Sequence, residues 1–219
     1  MTTTSRASRA KAPAPRRTRS DDSATRDRLL DAAEQLMREE GYASITTRRL
    51  GAKAGVHPQL VHYYFSGMDD LFLELWRRFT NHYLARQAQA FVSPNPVRTV
   101  WEHDSELQDA SLLAELMALA GHREALRDEI TTSVERFRAM QASALSPAMD
   151  DLGLKEVFGS PEVLALCMVG LARVLAVEER LGISSGHAQA RAAMARWLDQ
   201  LESKSRPDAK RRTPQASKT

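Results

Sequence analysis

The sequence is poor in the features that most directly announce chemistry. One cysteine, Cys167, stands among 219 residues, so no disulfide forms within the chain and no cysteine cluster is available for a structural zinc. No stretch approaches ~18 consecutive apolar residues, and the N-terminus lacks the apolar segment of a secretory signal. These absences lead to the expectation of a cytoplasmic protein with no membrane partner. Sustained strand alternation is missing, as is any internal repeat. There is no glycine-rich phosphate loop and no Ser-x-x-Lys or His-Glu-x-x-His spacing. Glu74, Asp104, Glu115 and Glu135 cannot be paired by chain spacing, and His82, His103, His122 and His187 stand singly. The reading is therefore of a chain that is not an enzyme and has neither metal nor cofactor.

What is present is enough apolar material for a sizeable core, 42% of residues against 27% charged, and a strongly uneven charge. Residues 1–20 carry six basic side chains and no acidic one, and residues 201–219 carry six basic against two acidic. With a net charge of +3 overall, the body from 21 to 200 is left at −7. Tails of this composition, rich in Pro, Ser, Thr and Ala, have little to bury, so both ends are expected to be disordered and free to meet a polyanion.

The body has the helical period almost everywhere, which predicts an all-α fold. A first helix is expected from Asp22 or Ser23 to residue 40, with Leu29, Leu30, Ala33, Leu36 and Met37 inward and Gly41 at its end. Two short helices follow at 47–54 and 58–64 around the turn Gly55, Val56, His57, with Thr46 capping the first. Helices this short need a neighbour to persist, so a three-helix module is expected. Longer helices are predicted at 69–90, 97–104, 109–119, 124–144 and 161–180, the last capped by Ser160, with a less regular stretch around Pro147 and Gly153. Ser185 is the expected cap of a final helix to Leu201.

From Gly41 through Met68 there are 28 positions without an acidic residue, holding Arg48, Arg49, Lys53, His57, His62, Thr46, Thr47, Gln59, Tyr63 and Tyr64. Hydroxyl, amide and guanidinium donors on short rigid elements, free of local negative potential, are what a phosphate-facing surface requires. A helix, glycine turn and helix can set the second helix in a major groove while the first crosses the backbone. Arg48 suits a bidentate contact with guanine O6 and N7, and Gln59 with adenine N6 and N7.

The run TTRRLGAKAGVHPQLVHYYF at 46–65, with the preceding GYASI and following SGMDDL, resembles the DNA-binding domain of the tetracycline-repressor (TetR) family of bacterial transcription regulators. The match covers residues 24 to about 71; the rest of the chain is similar only in length, helical character and layout. The resemblance implies an N-terminal three-helix DNA-binding domain with a helix-turn-helix, followed by a larger helical ligand-binding and dimerisation domain. It implies a homodimer on a pseudo-palindromic double-stranded operator, a repressor released by a small molecule. It further implies phosphate contacts from Thr47, His62 and Tyr64, and base-edge contacts from Arg48, Pro58, Gln59, Leu60 and Tyr63. Three positions depart from the family pattern: His62 in place of tyrosine, Gly51 in place of alanine, and Met68 where a phosphate-contacting lysine is usual.

The division expected is a basic arm at 1–21, a DNA-binding domain at 22–68, an effector-binding and dimerisation domain at 69–202, and a basic tail at 203–219. An apolar effector pocket is expected among Trp76, Phe79, His82, Tyr83, Trp101, His103, Met117, Phe137, Met140 and Met168. The helix at 161–180 is apolar around almost its whole circumference and must be covered on more than one side. A dimer seam is therefore expected from Val163, Leu164, Leu171, Val174 and Leu175, with Ala190, Met194, Trp197, Leu198 and Leu201 from the last helix. The alternative is a dimeric regulator without an effector, whose second domain serves dimerisation or protein contact only.

Overall fold

The computed structural model describes residues 19–105 and 110–205, and these are helical almost throughout. Helix α1 (Arg19–Glu40) leads through a 3₁₀ turn (Tyr42–Ser44) to α2 (Thr47–Ala54) and α3 (Gln59–Tyr64). Then come α4 (Met68–Phe91), α5 (Pro96–Ser105), α6 (Ala110–Ala120) and α7 (Glu124–Asp151). A single turn, α8 (Lys155–Phe158), precedes α9 (Pro161–Arg180) and α10 (His187–Ser205). Most of both basic tails lies outside the described residues, as does Asp109. The tail positions that are described are helical: α1 begins at Arg19 and α10 runs on to Ser205.

The start of α1 differs from expectation because Asp22 sits inside the helix, where it accepts a hydrogen bond from the Tyr64 hydroxyl at 2.9 Å. Helix α7 runs straight through Pro147, where an irregular stretch was expected. A proline removes the bond to the carbonyl four residues back, here that of Ser143. Both residues are exposed, so water can meet that carbonyl. Ser160 caps α9 as expected, accepting from the Val163 amide at 3.4 Å. Ser185 does not cap α10: Gly186 takes a positive φ of 81°, and the helix starts at His187, whose ring is held 2.7 Å from Glu178.

Two hydrophobic cores organise these helices. One joins α1, α2, α3 and the first half of α4 to α6 and the start of α7, through Leu29, Leu50, Val61, Phe65, Trp76, Leu112, Leu116 and Leu126. The other joins α5, the second half of α7, α9 and α10, through Val100, Leu145, Leu164, Met168, Leu175 and Leu198. Packing is thus continuous across position 68: α6 packs on α1 and on the 3₁₀ turn that leads into the helix-turn-helix. At the far end Arg98 of α5 bridges Asp199 and Glu202, fixing α10.

Candidate nucleic-acid interface and interior cavity

The two short helices are set by local chemistry. The Thr46 hydroxyl accepts from the Arg49 amide at 3.3 Å and starts α2. Gly55 ends α2 in the left-handed conformation at φ 65°, ψ 35°, which only glycine adopts without steric penalty. A Cβ on Gly51 would lie 2.9 Å from the Val56 carbonyl oxygen and 3.0 Å from Pro58 Cα. The departure from alanine at 51 therefore permits the start of α3 to close against α2.

Helix α3 is too short to hold itself and is anchored by Val61 and by Phe65 just beyond it, 2% and 1% exposed. Its opposite face presents Gln59, His62 and Tyr63 to solvent, Tyr63 with 67% of its surface exposed. At the start of α2 Thr46 and Arg48 are exposed, while Thr47, Pro58, Leu60 and Tyr64 are half-buried. The basic residues of the window divide in two. Arg49 pairs with Glu40 and Lys53 with Glu39, hydrogen bonds that hold both carboxylates below their ordinary range. Among the described residues Arg48 has no ion-pair partner. The acidic end of α1 thus neutralises Arg49 and Lys53 of α2 and leaves Arg48 exposed. Spacing did not reveal those pairs, because Glu39 and Glu40 precede the acid-free window and meet α2 only through the helix crossing.

A second concentration of chemistry lies between α4, α7 and α9. A cavity of about 40 Å³ brings together Trp76, Phe79, Tyr83 and Phe137 of the expected residues, with Asp104, Leu113, Val134, Arg138, Gln141 and Arg173 also in its wall. The rings stack along α4, Trp76 on Phe79 at 5.5 Å and Phe79 on Tyr83 at 6.4 Å, and Phe137 of α7 meets Tyr83 at 5.2 Å. Asp104 is 1% exposed. It accepts from the Tyr83 hydroxyl at 2.7 Å and from the amides of Gln87 and Gln141, each at 3.3 Å. Burial pushes its carboxyl up to about 6, against the lowering effect of Tyr83, Arg173 and Gln141. Burial and the Asp104 charge together push the Tyr83 hydroxyl well above its ordinary value.

The remaining pocket expectations are corrected. His82 is exposed, and Met117 faces a separate cavity of about 130 Å³ between α6 and α9, shared with Leu113 and Arg173. Trp101 and Met168 belong to the second core, and His103 and Met140 do not reach the first cavity's wall. The polar lining was missed, although Asp104 continues the stripe Val97, Val100, Trp101 at helical spacing, a signal that it faces inward. The seam expectation also divides. Leu164, Leu175, Leu198 and Leu201 are buried in their own chain and are unavailable to a partner. Val163 and Val174 are exposed, joined by Leu166 and Val177. Leu171, Ala190, Met194 and Trp197 are half-buried around a groove of about 410 Å³ between α9 and α10.

The sequence pattern of bacterial regulatory proteins of the tetR family matches residues 29–75, the segment from α1 to the first turns of α4. The HTH-type transcriptional repressor BepR of Brucella suis biovar 1 (strain 1330) is 29% identical over 169 residues, 76% of this chain and 72% of that repressor. The fold is shared with a solved TetR/AcrR family regulator at TM-score 0.67 and 18% identity, covering 80% of this chain and 99% of that one. It is shared also with a regulator from Saccharomonospora viridis solved in complex with choline, at TM-score 0.65 and 19% identity, covering 83% and 96%. With that signature lying on the capped, glycine-turned helix pair, residues 29–75 form a DNA-binding domain of the tetR family of bacterial regulatory proteins, and the helical architecture around it is the fold of the solved regulators.

Proposed function

We propose that this regulator is a homodimeric repressor that reads a pseudo-palindromic operator through α2 and α3 and is released when a small, mainly apolar effector occupies its helical body. The observation that carries the reading is the division of α3 into a buried anchor, Val61 with the adjoining Phe65, and an exposed face of Gln59, His62 and Tyr63. Arg48 and Gln59 read base edges, with Pro58, Leu60 and Tyr63 beside them; Thr46, Thr47, His62 and Tyr64 fix the backbone. Residues 22–68 act as the reader and 69–202 as the effector and dimer body. Repression is supported by the similarity to BepR, and a small-molecule effector by the choline complex of the structural relative. The exposed apolar residues of α9 support a seam with a second copy.

Binding-site selection with the full chain, followed by gel shifts across a salt series, tests the reader. The expected result is a preference for inverted half-sites about one helical turn apart, weakening as salt rises. Equal affinity for all duplexes at moderate salt would overturn the assignment. The small volume of the cavity supports the second reading, a dimeric regulator without an effector; operator affinity unmoved by any compound that binds the body would select it.

A further inference from the structure

Among the polar groups that line the aromatic cavity, which do not include the unpartnered Gln87 Oε1, partners are unequally supplied, and the imbalance has a sign. Asp104 already receives three donors, from Tyr83, Gln87 and Gln141. Arg173 of α9 and Arg138 of α7 line the same space, and among the described residues neither has an ion-pair or hydrogen-bond acceptor. The Nε of Arg173 is fully buried with no acceptor in reach. A buried guanidinium donor without an acceptor is strongly disfavoured, so the group this cavity lacks is an acceptor. Charge points the same way: two guanidiniums face the cavity against one carboxylate, and burial weakens the hold of that carboxylate on its charge. The rest of the wall is apolar, formed by Trp76, Phe79 and Phe137.

Resting on the effector-controlled reading above and placing that effector in this cavity, we propose that its ligand is an amphipathic organic anion. Its aromatic or aliphatic body lies on the Trp76, Phe79 and Phe137 wall, and its carboxylate, or a like oxyanion, accepts hydrogen bonds from Arg173 and Arg138. The planar guanidinium fork matches a carboxylate in geometry as well as charge. An organic cation is the competing class, since rings around a buried carboxylate attract cations. Here the carboxylate oxygens are occupied by neutral donors, and two fixed positive charges would oppose a third.

The test is calorimetric titration of the full chain with 4-phenylbutyrate and 6-phenylhexanoate, each against its primary amide and its amine. The acids are expected to bind at least about tenfold more tightly than the amides, and the amines not at all. Arg173→Gln and Arg138→Gln should each weaken the acid toward the amide without altering the amide itself. Leu113→Trp, which fills the cavity, should abolish binding. If Arg173→Gln fails to fold, as judged by circular dichroism and thermal unfolding, Arg138→Gln and Arg173→Lys supply the same comparison. An amine or amide binding as tightly as the acid, with loss in Leu113→Trp, would leave the cavity as the effector site and overturn the anionic class. Tighter acid binding unaffected by either arginine variant would overturn their role. No binding by any compound, or binding insensitive to Leu113→Trp, would overturn the cavity reading and this inference with it.

Discussion

The carboxylate of Glu115, on α6, accepts a hydrogen bond from the backbone amide of Tyr42 at 2.9 Å, joining the helical body to the turn that feeds α2. The fit is close on both sides: a Cβ on Gly41 would lie 3.2 Å from the same carboxylate, and Gly41 holds a φ of 80°. Because α6 also places Leu113 in the cavity wall, one short helix touches both the interior cavity and the turn that leads into the helix-turn-helix. Glu115→Ala is expected to lower stability by about 1 kcal/mol and to reduce the change in operator affinity produced by a bound effector. Thermal unfolding and gel shifts with and without ligand measure the two effects. Unchanged coupling in the variant would assign transmission to packing alone.

Arg48 and Arg49 are neighbours with opposite expected phenotypes. Arg48→Ala should lose ~1 to 3 kcal/mol of discrimination at one operator position, whereas Arg49→Ala, whose side chain is taken up by Glu40, should leave the preference pattern intact. Affinities across single-base operator substitutions check both. The reverse ranking would mean that α2 meets DNA with its other side.

Gly51→Ala places a methyl group 2.9 Å from a backbone oxygen. Although alanine favours a helix by ~1 kcal/mol, the clash is expected to dominate, with a net destabilisation of about 1 to 3 kcal/mol and weaker operator binding. Denaturant unfolding reads the sign directly; a more stable variant would show that α3 can give way.

Asp104 makes stability depend on pH in a defined direction. Its carboxyl titrates near 6 when folded, against an ordinary value of 3.8, so between those values only the folded chain holds the proton. Stability from this group is therefore fully present below about pH 4, falls as pH rises to about 6, and is level above. The span corresponds to about 3 kcal/mol. Asp104→Asn should remove that segment from the curve of stability against pH; identical slopes for the two proteins between pH 4 and 6 would refute the burial effect.

Val174 is 52% exposed and Leu166 51% exposed on α9. Charged substitutions there, Val174→Arg and Leu166→Glu, should leave the protomer folded while shifting sedimentation toward the monomer. They should also weaken operator binding far more than either half-site contact accounts for.

The helix-turn-helix was legible in the sequence because each of its devices is local: a threonine cap at 46, a left-handed glycine at 55, and apolar anchors at 61 and 65 within a stretch free of acids. The aromatic half of the cavity was legible for a similar reason, since Trp76, Phe79 and Tyr83 follow one helical face. Its polar half comes from α5, α7 and α9 and meets only through tertiary packing, so no spacing within one helix ties Asp104 to Gln141 or Arg173. Likewise, apolar periodicity alone could not say which residues of α9 face their own core and which face outward. Pro147 misled because a proline ends a helix only where its freed carbonyl has no other partner.

Leu112, Leu116 and Leu126 share one interior with Leu29, Leu50 and Phe65, which limits how the protein can be cut and recombined. A fragment ending after α4 would leave an oily scar where α6 had lain. A chimera that transplants the helix-turn-helix segment onto a foreign body inherits that scar unless the graft brings α6, and the opening turns of α7, along with it.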